Sequence, residues 1–232
     1  MVAGCNTTPD GDPFGNPNEP VQAQPSLQGA FAAVGGILGY TADALGGIFG
    51  NSPKFYAERL AAANATPDQR RVGINGLVRR EFGREPIYTD AYAQLAAESN
   101  APLVRATAIR ALNRSAAEGH TDLLIAALSD RDTLVQLEAA KALAKVPDPD
   151  AAAPLLSVAV DADADVDVRI AAVDALRHYG GDVEIVEQLA ALLEAEEFSV
   201  AWQARQSLAS IFGKDRGFDP KAWTVDAPQA DA

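Results

Sequence analysis

The chain has 232 residues, is 48% hydrophobic but only 6% aromatic, and carries a formal charge of −13. Alanine supplies much of the apolar content, which suits closely packed helices better than sheets. The acidic balance speaks against sequence-independent nucleic-acid binding, and a single cysteine excludes an internal disulfide.

The charge is uneven. Residues 1–52 hold four acids and no Lys or Arg, residues 53–115 hold 10 basic and 6 acidic residues, and residues 116–232 hold 9 basic and 22 acidic residues. A mildly basic first half and a strongly acidic second half set up a long-range dipole able to orient a partner. The plainer reading of such runs is solvated surface.

The first element is Val2-Ala3-Gly4-Cys5, an aliphatic residue and two small ones ahead of the only cysteine. It resembles a bacterial lipobox, the end of a lipoprotein signal. That resemblance implies lipid attachment at Cys5 and a membrane-anchored place in the cell envelope, on the periplasmic side. A cytoplasmic location is the alternative. Only four residues precede Cys5, so the basic and apolar parts of an export signal would lie upstream of Met1. Residues 6–26 are rich in Pro, Gly, Asn and Asp and hold too little apolar surface to fold. Residues 1–26 therefore read as a lipobox remnant followed by a disordered tether.

Residues 27–50, LQGAFAAVGGILGYTADALGGIFG, carry one charge, Asp43. GGILG at 35–39 is echoed by GGIFG at 46–50, a spacing of about three helical turns. Gly35, Gly39, Gly46 and Gly50, with Phe31, Leu38 and Phe49, are the candidate self-assembly residues. Small residues at such spacing let helices approach closely. Each glycine costs a helix about 1 kcal/mol relative to alanine, so the segment is a helix docked on the first repeat, a self-association or membrane-contact strip, or a mobile apolar strip.

From residue 51 to about 213 the chain is periodic. QRRVGINGL (69–77), VRATAIRAL (104–112), VQLEAAKAL (135–143), VRIAAVDAL (168–176) and VAWQARQSL (200–208) align. Each has small residues at its fifth and eighth positions and Leu at its ninth. A helical run precedes each, and the joining turns carry Thr66-Pro67, Pro102 and Asp-rich stretches suited to helix starts. Units of this length stack as a solenoid, with the small pairs where helices meet and the leucine in the core. The fold class is all-α: a short right-handed α-solenoid of about five helix pairs. Residues 214–232 form a C-terminal cap and tail, with Phe218 and Trp223 expected to cover the last apolar face.

The recurring V-R-x-x-A-x-x-A-L resembles HEAT repeats, particularly the short bacterial HEAT-like kind first associated with phycobilin lyases. RRVGINGLVRREFGREP (70–86), LVRATAIRALNR (103–114) and GFDPKAW (217–223) are similar to a bacterial group of HEAT lipoproteins with no established chemistry. The resemblance implies that an acidic turn residue bonds the arginine of the next unit's second helix. Arg70, Arg105 and Arg169 occupy that arginine position, while Gln136 and Ala201 depart from it.

His120 and His178 lie in different units, each near a helix end, with no second ligand at helical spacing. No metal site is expected, and HEAT-repeat hydroxylases, which need repeated His-Glu pairs, are excluded. No Gly-rich phosphate loop or nucleophile motif occurs, so no catalytic residue and no cofactor is expected. DADADVD (161–167) lacks the glycine and terminal Glu of a calcium loop and reads as an inter-helix turn. Arginines crowd the first two units, which favours a protein partner, an acidic one, over nucleic acid.

The sequence thus points to a non-enzymatic, lipid-anchored scaffold that binds proteins through Arg70, Arg79, Arg80, Arg105, Arg110 and Arg114. The alternatives are a HEAT-like lyase or chaperone of the bilin-lyase type, and an oligomeric structural subunit, a homo-oligomer assembled through residues 27–50.

Overall fold

The structure, a computed structural model, describes residues 53–62 and 64–223. Cys5, the tether and the glycine-rich strip lie outside them.

The described residues form helix pairs and no strand. The first helices are α1 (Pro53–Ala61), α3 (Pro86–Glu98), α5 (Thr121–Ala127), α7 (Ala152–Val160) and α9 (Val183–Ala191). The second helices are α2 (Pro67–Val78), α4 (Pro102–Ser115), α6 (Thr133–Lys145), α8 (Val166–Leu176) and α10 (Phe198–Phe212). Among the described residues, no helix is long and apolar enough to cross a membrane.

The turn chemistry starts the helices where the sequence places it. Thr66 caps α2 in a closed box: the Gln69 N–H donates to Thr66 Oγ1 at 3.2 Å, and the Thr66 N–H donates to Gln69 Oε1 at 2.9 Å. Asp132, Asp165 and Asp182 accept from backbone N–H groups at the starts of α6, α8 and α9. The DADADVD stretch is thus a turn and a cap.

Second helices pack on one another along the whole array, α2 on α4, α4 on α6, α6 on α8 and α8 on α10, whereas first helices meet only sparsely. The array therefore curves toward the second helices, which line its concave side. The small pairs explain the close approach. Ala108/Ala111, Ala139/Ala142, Ala172/Ala175 and Ala204/Ser207 are buried, as are the following leucines Leu112, Leu143, Leu176 and Leu208. In the first unit the pair is Gly73/Gly76, because the α1 backbone and the Tyr56 ring press on it. A Cβ at Gly76 would lie 2.1 Å from that ring.

Two expectations need correction. Trp223 does close the final face: it is buried, edge-on to Phe212 at 5.7 Å, and its Nε1–H donates to the Gly217 carbonyl at 3.0 Å. Phe218 instead stays outside, stacked against Trp202 and Phe198, because the loop between Asp215 and Gly217 lays it on the exposed side of α10. The arginine ladder also runs the other way. Arg105 of α4 bonds Asp130, in the turn of the following unit, and Arg169 of α8 bonds Glu197, likewise one unit ahead.

Candidate functional site

Each helix of a parallel set favours carboxylates at its N-terminus and cations at its C-terminus, by about 0.3–1 kcal/mol per residue. The second helices run side by side in one direction, so the concave side acquires two rims. One rim holds the helix starts, with Asp68, Asp130, Asp132, Asp165, Asp167 and Glu197. The other holds Arg79, Arg114 and Lys145, which occupy the same register position in three successive units. His178 continues that column at the end of α8. His120 stands instead at the start of α5.

Between the rims the floor is part apolar. Leu137, Ile170 and Ala171 line a groove with Lys141, Asp174 and Gln203, contributed by α6, α8 and α10. Cross-links between neighbouring helices hold the floor in place. Arg110 donates to Glu138 at 2.7 Å, and Gln203 donates to Asp174 at 3.1 Å. Glu138 is buried beneath Arg110. Its hydrogen bond and charge raise the Arg110 pKa against an opposing desolvation.

The structure separates the six candidate arginines. Arg79 and Arg114 are exposed on the basic rim, and Arg110 lies half-exposed on the floor. Arg80 donates to the Gly76 carbonyl and stacks on the Tyr56 ring at 4.5 Å. Arg105 is only 6% exposed. Its Nε and Nη2 donate to the two Asp130 oxygens at 2.8 and 2.7 Å, and its Nη1 donates to the Ser99 carbonyl at 2.8 Å. Its hydrogen bond to Asp130 raises its pKa, outweighing desolvation. Burial alone would push the Asp130 carboxyl up, but Arg105, the Asp132 N–H and Arg131 together bring it below the usual range. Arg105 thus joins units rather than facing a partner. Arg70 holds the equivalent position, but the next turn, Ser99-Asn100-Ala101, has no carboxylate. Its buried Nε has no hydrogen-bond partner among the described residues. Gln136 breaks the ladder by donating back to its own turn, to the Asp130 carbonyl at 2.6 Å.

Sequence reading missed Lys141 and Lys145, although they stand in register with Arg110 and Arg114. It also missed an aromatic cluster at the far end, formed by Phe198, Trp202 and Phe218 with Arg205. Phe198 and Trp202 are four residues apart on one helix, which was visible. Phe218 joins them only through the fold of the cap. Among the described residues, no group of three or more His, Cys, Asp or Glu is placed to hold a metal ion.

Residues 89–166 match the family model of HEAT repeats. That stretch is built of HEAT repeats. The same helix pairing and register continue on both sides of that match, from α1 to α10. No curated protein matches the chain in sequence. Among solved structures, the array is similar to the complex of CpcE and CpcF of phycocyanin lyase from Nostoc sp. PCC7120, with a TM-score of 0.59 and 20% identity. The likeness covers 70% of this chain and 66% of that one, just under two thirds of its length. It corrects the expectation of a non-enzymatic scaffold. That expectation took a docking wall without a sequence motif to mean no chemistry, and this HEAT architecture is also that of a lyase. In a solenoid, side chains from several units meet in one groove without forming a local motif.

Proposed function

We propose that the concave groove holds a protein client, and that the chain acts as a lyase- or chaperone-type member of a complex with a second protein. The observation that carries this reading is the groove itself, a part-apolar floor between rims of opposite sign, built from residues in register across successive units. A polypeptide segment with acidic residues toward Arg79, Arg114 and Lys145 would complement it. The phycocyanin lyase structure, a complex of two proteins, supports the assembly part of the reading. We further propose that Cys5 carries a lipid that holds the array at the periplasmic side of a membrane, on the strength of the Val-Ala-Gly-Cys stretch and the polar tether after it.

The test is site-specific photo-cross-linking from position 141, in the groove, and from position 188, on the outer face of α9. A client captured from 141 and not from 188, carrying a mass increment that requires this chain, is the expected result. Equal capture from both sites would refute the groove. Labelled palmitate should enter the chain and be lost in Cys5→Ser; label retained in that variant would refute the anchor.

A further inference from the structure

The convex side of the array carries a second groove, opposite the concave one. First helices meet only sparsely, and between α7 and α9 they leave a depression of about 590 Å³. Pro149, Ala152, Ala153, Leu156, Ser157 and Val160 line it from the α7 side. Their spacing is that of a single helix face. Ile185 lines it from α9. Val160 is 42% exposed, so the groove presents apolar surface to the outside.

The margin of this groove is anionic. Asp182 and Glu184 line it directly, and Asp148 and Asp161 are next in sequence to Pro149 and Val160. Three of these carboxylates are fixed by backbone. Asp148 accepts from the Asp150 N–H at 3.0 Å, Asp161 from the Asp163 N–H at 3.0 Å, and Asp182 from the Glu184 N–H at 2.9 Å. No Lys or Arg lines the groove. Residues 146–168 and residues 178–204 hold six acids each and no Lys or Arg. Arg169 and Arg177, which lie between those stretches, are tied to Glu197 and Asp174.

We infer that this groove seats a basic amphipathic helix of a second protein. Its apolar residues enter between α7 and α9, and Lys or Arg on its flanks meet the fixed carboxylates. The charge selects such a partner. Residues 1–52 of this chain hold no Lys or Arg, so the apolar strip at 27–50 brings no counter-charge. The basic helices of a second copy, α2 and α4, keep their apolar faces in their own core, with Ile74 and Ile109 fully buried. An anionic membrane surface is repelled by the same carboxylates. The groove lies across the array from the client's and does not depend on it.

The test is fluorescence anisotropy of a labelled peptide with the full chain. The peptide spans about four helical turns, with Leu on one face and Lys on the other, and its twin carries Glu in place of Lys. The Lys peptide should bind saturably and weaken in high salt, and the Glu twin should not bind. Ala153→Lys/Ser157→Lys sets two cations in the groove, whereas Asp163→Asn/Glu196→Gln makes the same change in net charge away from it. All four positions are exposed, and both variants should keep the wild-type circular dichroism. The groove variant should lose about tenfold in affinity, the other less than about twofold. No saturable binding, binding of the Glu twin, or equal losses in the two variants would each overturn the inference. So would competition by a peptide of residues 27–50, or a wild-type dimer that Ala153→Lys/Ser157→Lys abolishes, since either assigns the groove to this chain itself.

Discussion

The staple between the second and third units gives the sharpest energetic prediction. Arg105 is almost fully withdrawn from water and is neutralised by a two-pronged contact with Asp130. Asp130→Ala leaves that guanidinium buried, with the Ser99 carbonyl as its remaining acceptor. Removing one partner of a buried pair costs about 3–5 kcal/mol. The rim position of Asp130 and the remaining Ser99 bond place this case at the low end, about 3 kcal/mol. For a domain of roughly 170 residues that is a fall in Tm of about 6–12 °C. Arg105→Met should cost less, about 1–2 kcal/mol, because the remaining carboxylate keeps the Asp132 N–H at 2.9 Å and lies nearer to water. In the double variant the loss should resemble that of Arg105→Met, giving a coupling of about 3 kcal/mol. Urea unfolding followed by circular dichroism measures all three. An Asp130→Ala loss under about 0.5 kcal/mol, or a larger loss from Arg105→Met, would refute the argument that burial of the cation sets the cost.

Gly76→Ala gains about 1 kcal/mol of helix propensity but drives a Cβ into the Tyr56 ring. The expected net effect in a thermal melt is destabilisation of about 1–2 kcal/mol. Ala116, which ends α4, has a φ of 49°, so Ala116→Gly should stabilise by about 0.5–1 kcal/mol in urea unfolding. The Asp215 carboxyl is held down to about 2 by its hydrogen bond from Arg205 and by the Gly217 N–H. A depressed folded-state pKa contributes stability above the unfolded value of 3.8 and loses it as pH falls through about 2. Acid titration of stability should therefore show a slope in that window that shrinks in Asp215→Asn.

The solenoid was legible because close helix packing constrains the same two positions in every unit. Gly73/Gly76, Ala108/Ala111 and their successors, with a leucine after each pair, mark the second helices in the sequence alone. The direction of the arginine ladder was not legible. It depends on how far one unit is offset from the next, and spacing within the chain does not record that offset. Nor was the burial of Arg105, whose neighbours in sequence resemble those of the half-exposed Arg110. The basic rim lay in the aligned repeats as the column Arg79, Arg114, Lys145. Reading arginines alone left Lys145 out. The aromatic corner needed the loop from Asp215 to Gly217, whose Gly217 N–H donates to Asp215 at 3.0 Å, to bring Phe218 back onto α10.

The most direct test of the groove is amide hydrogen exchange of the whole chain, free and bound to the client captured from position 141. Binding should slow exchange in the second helices α6, α8 and α10 and leave α5, α7 and α9 unchanged. Protection confined to those first helices would contradict a client seated on the concave side.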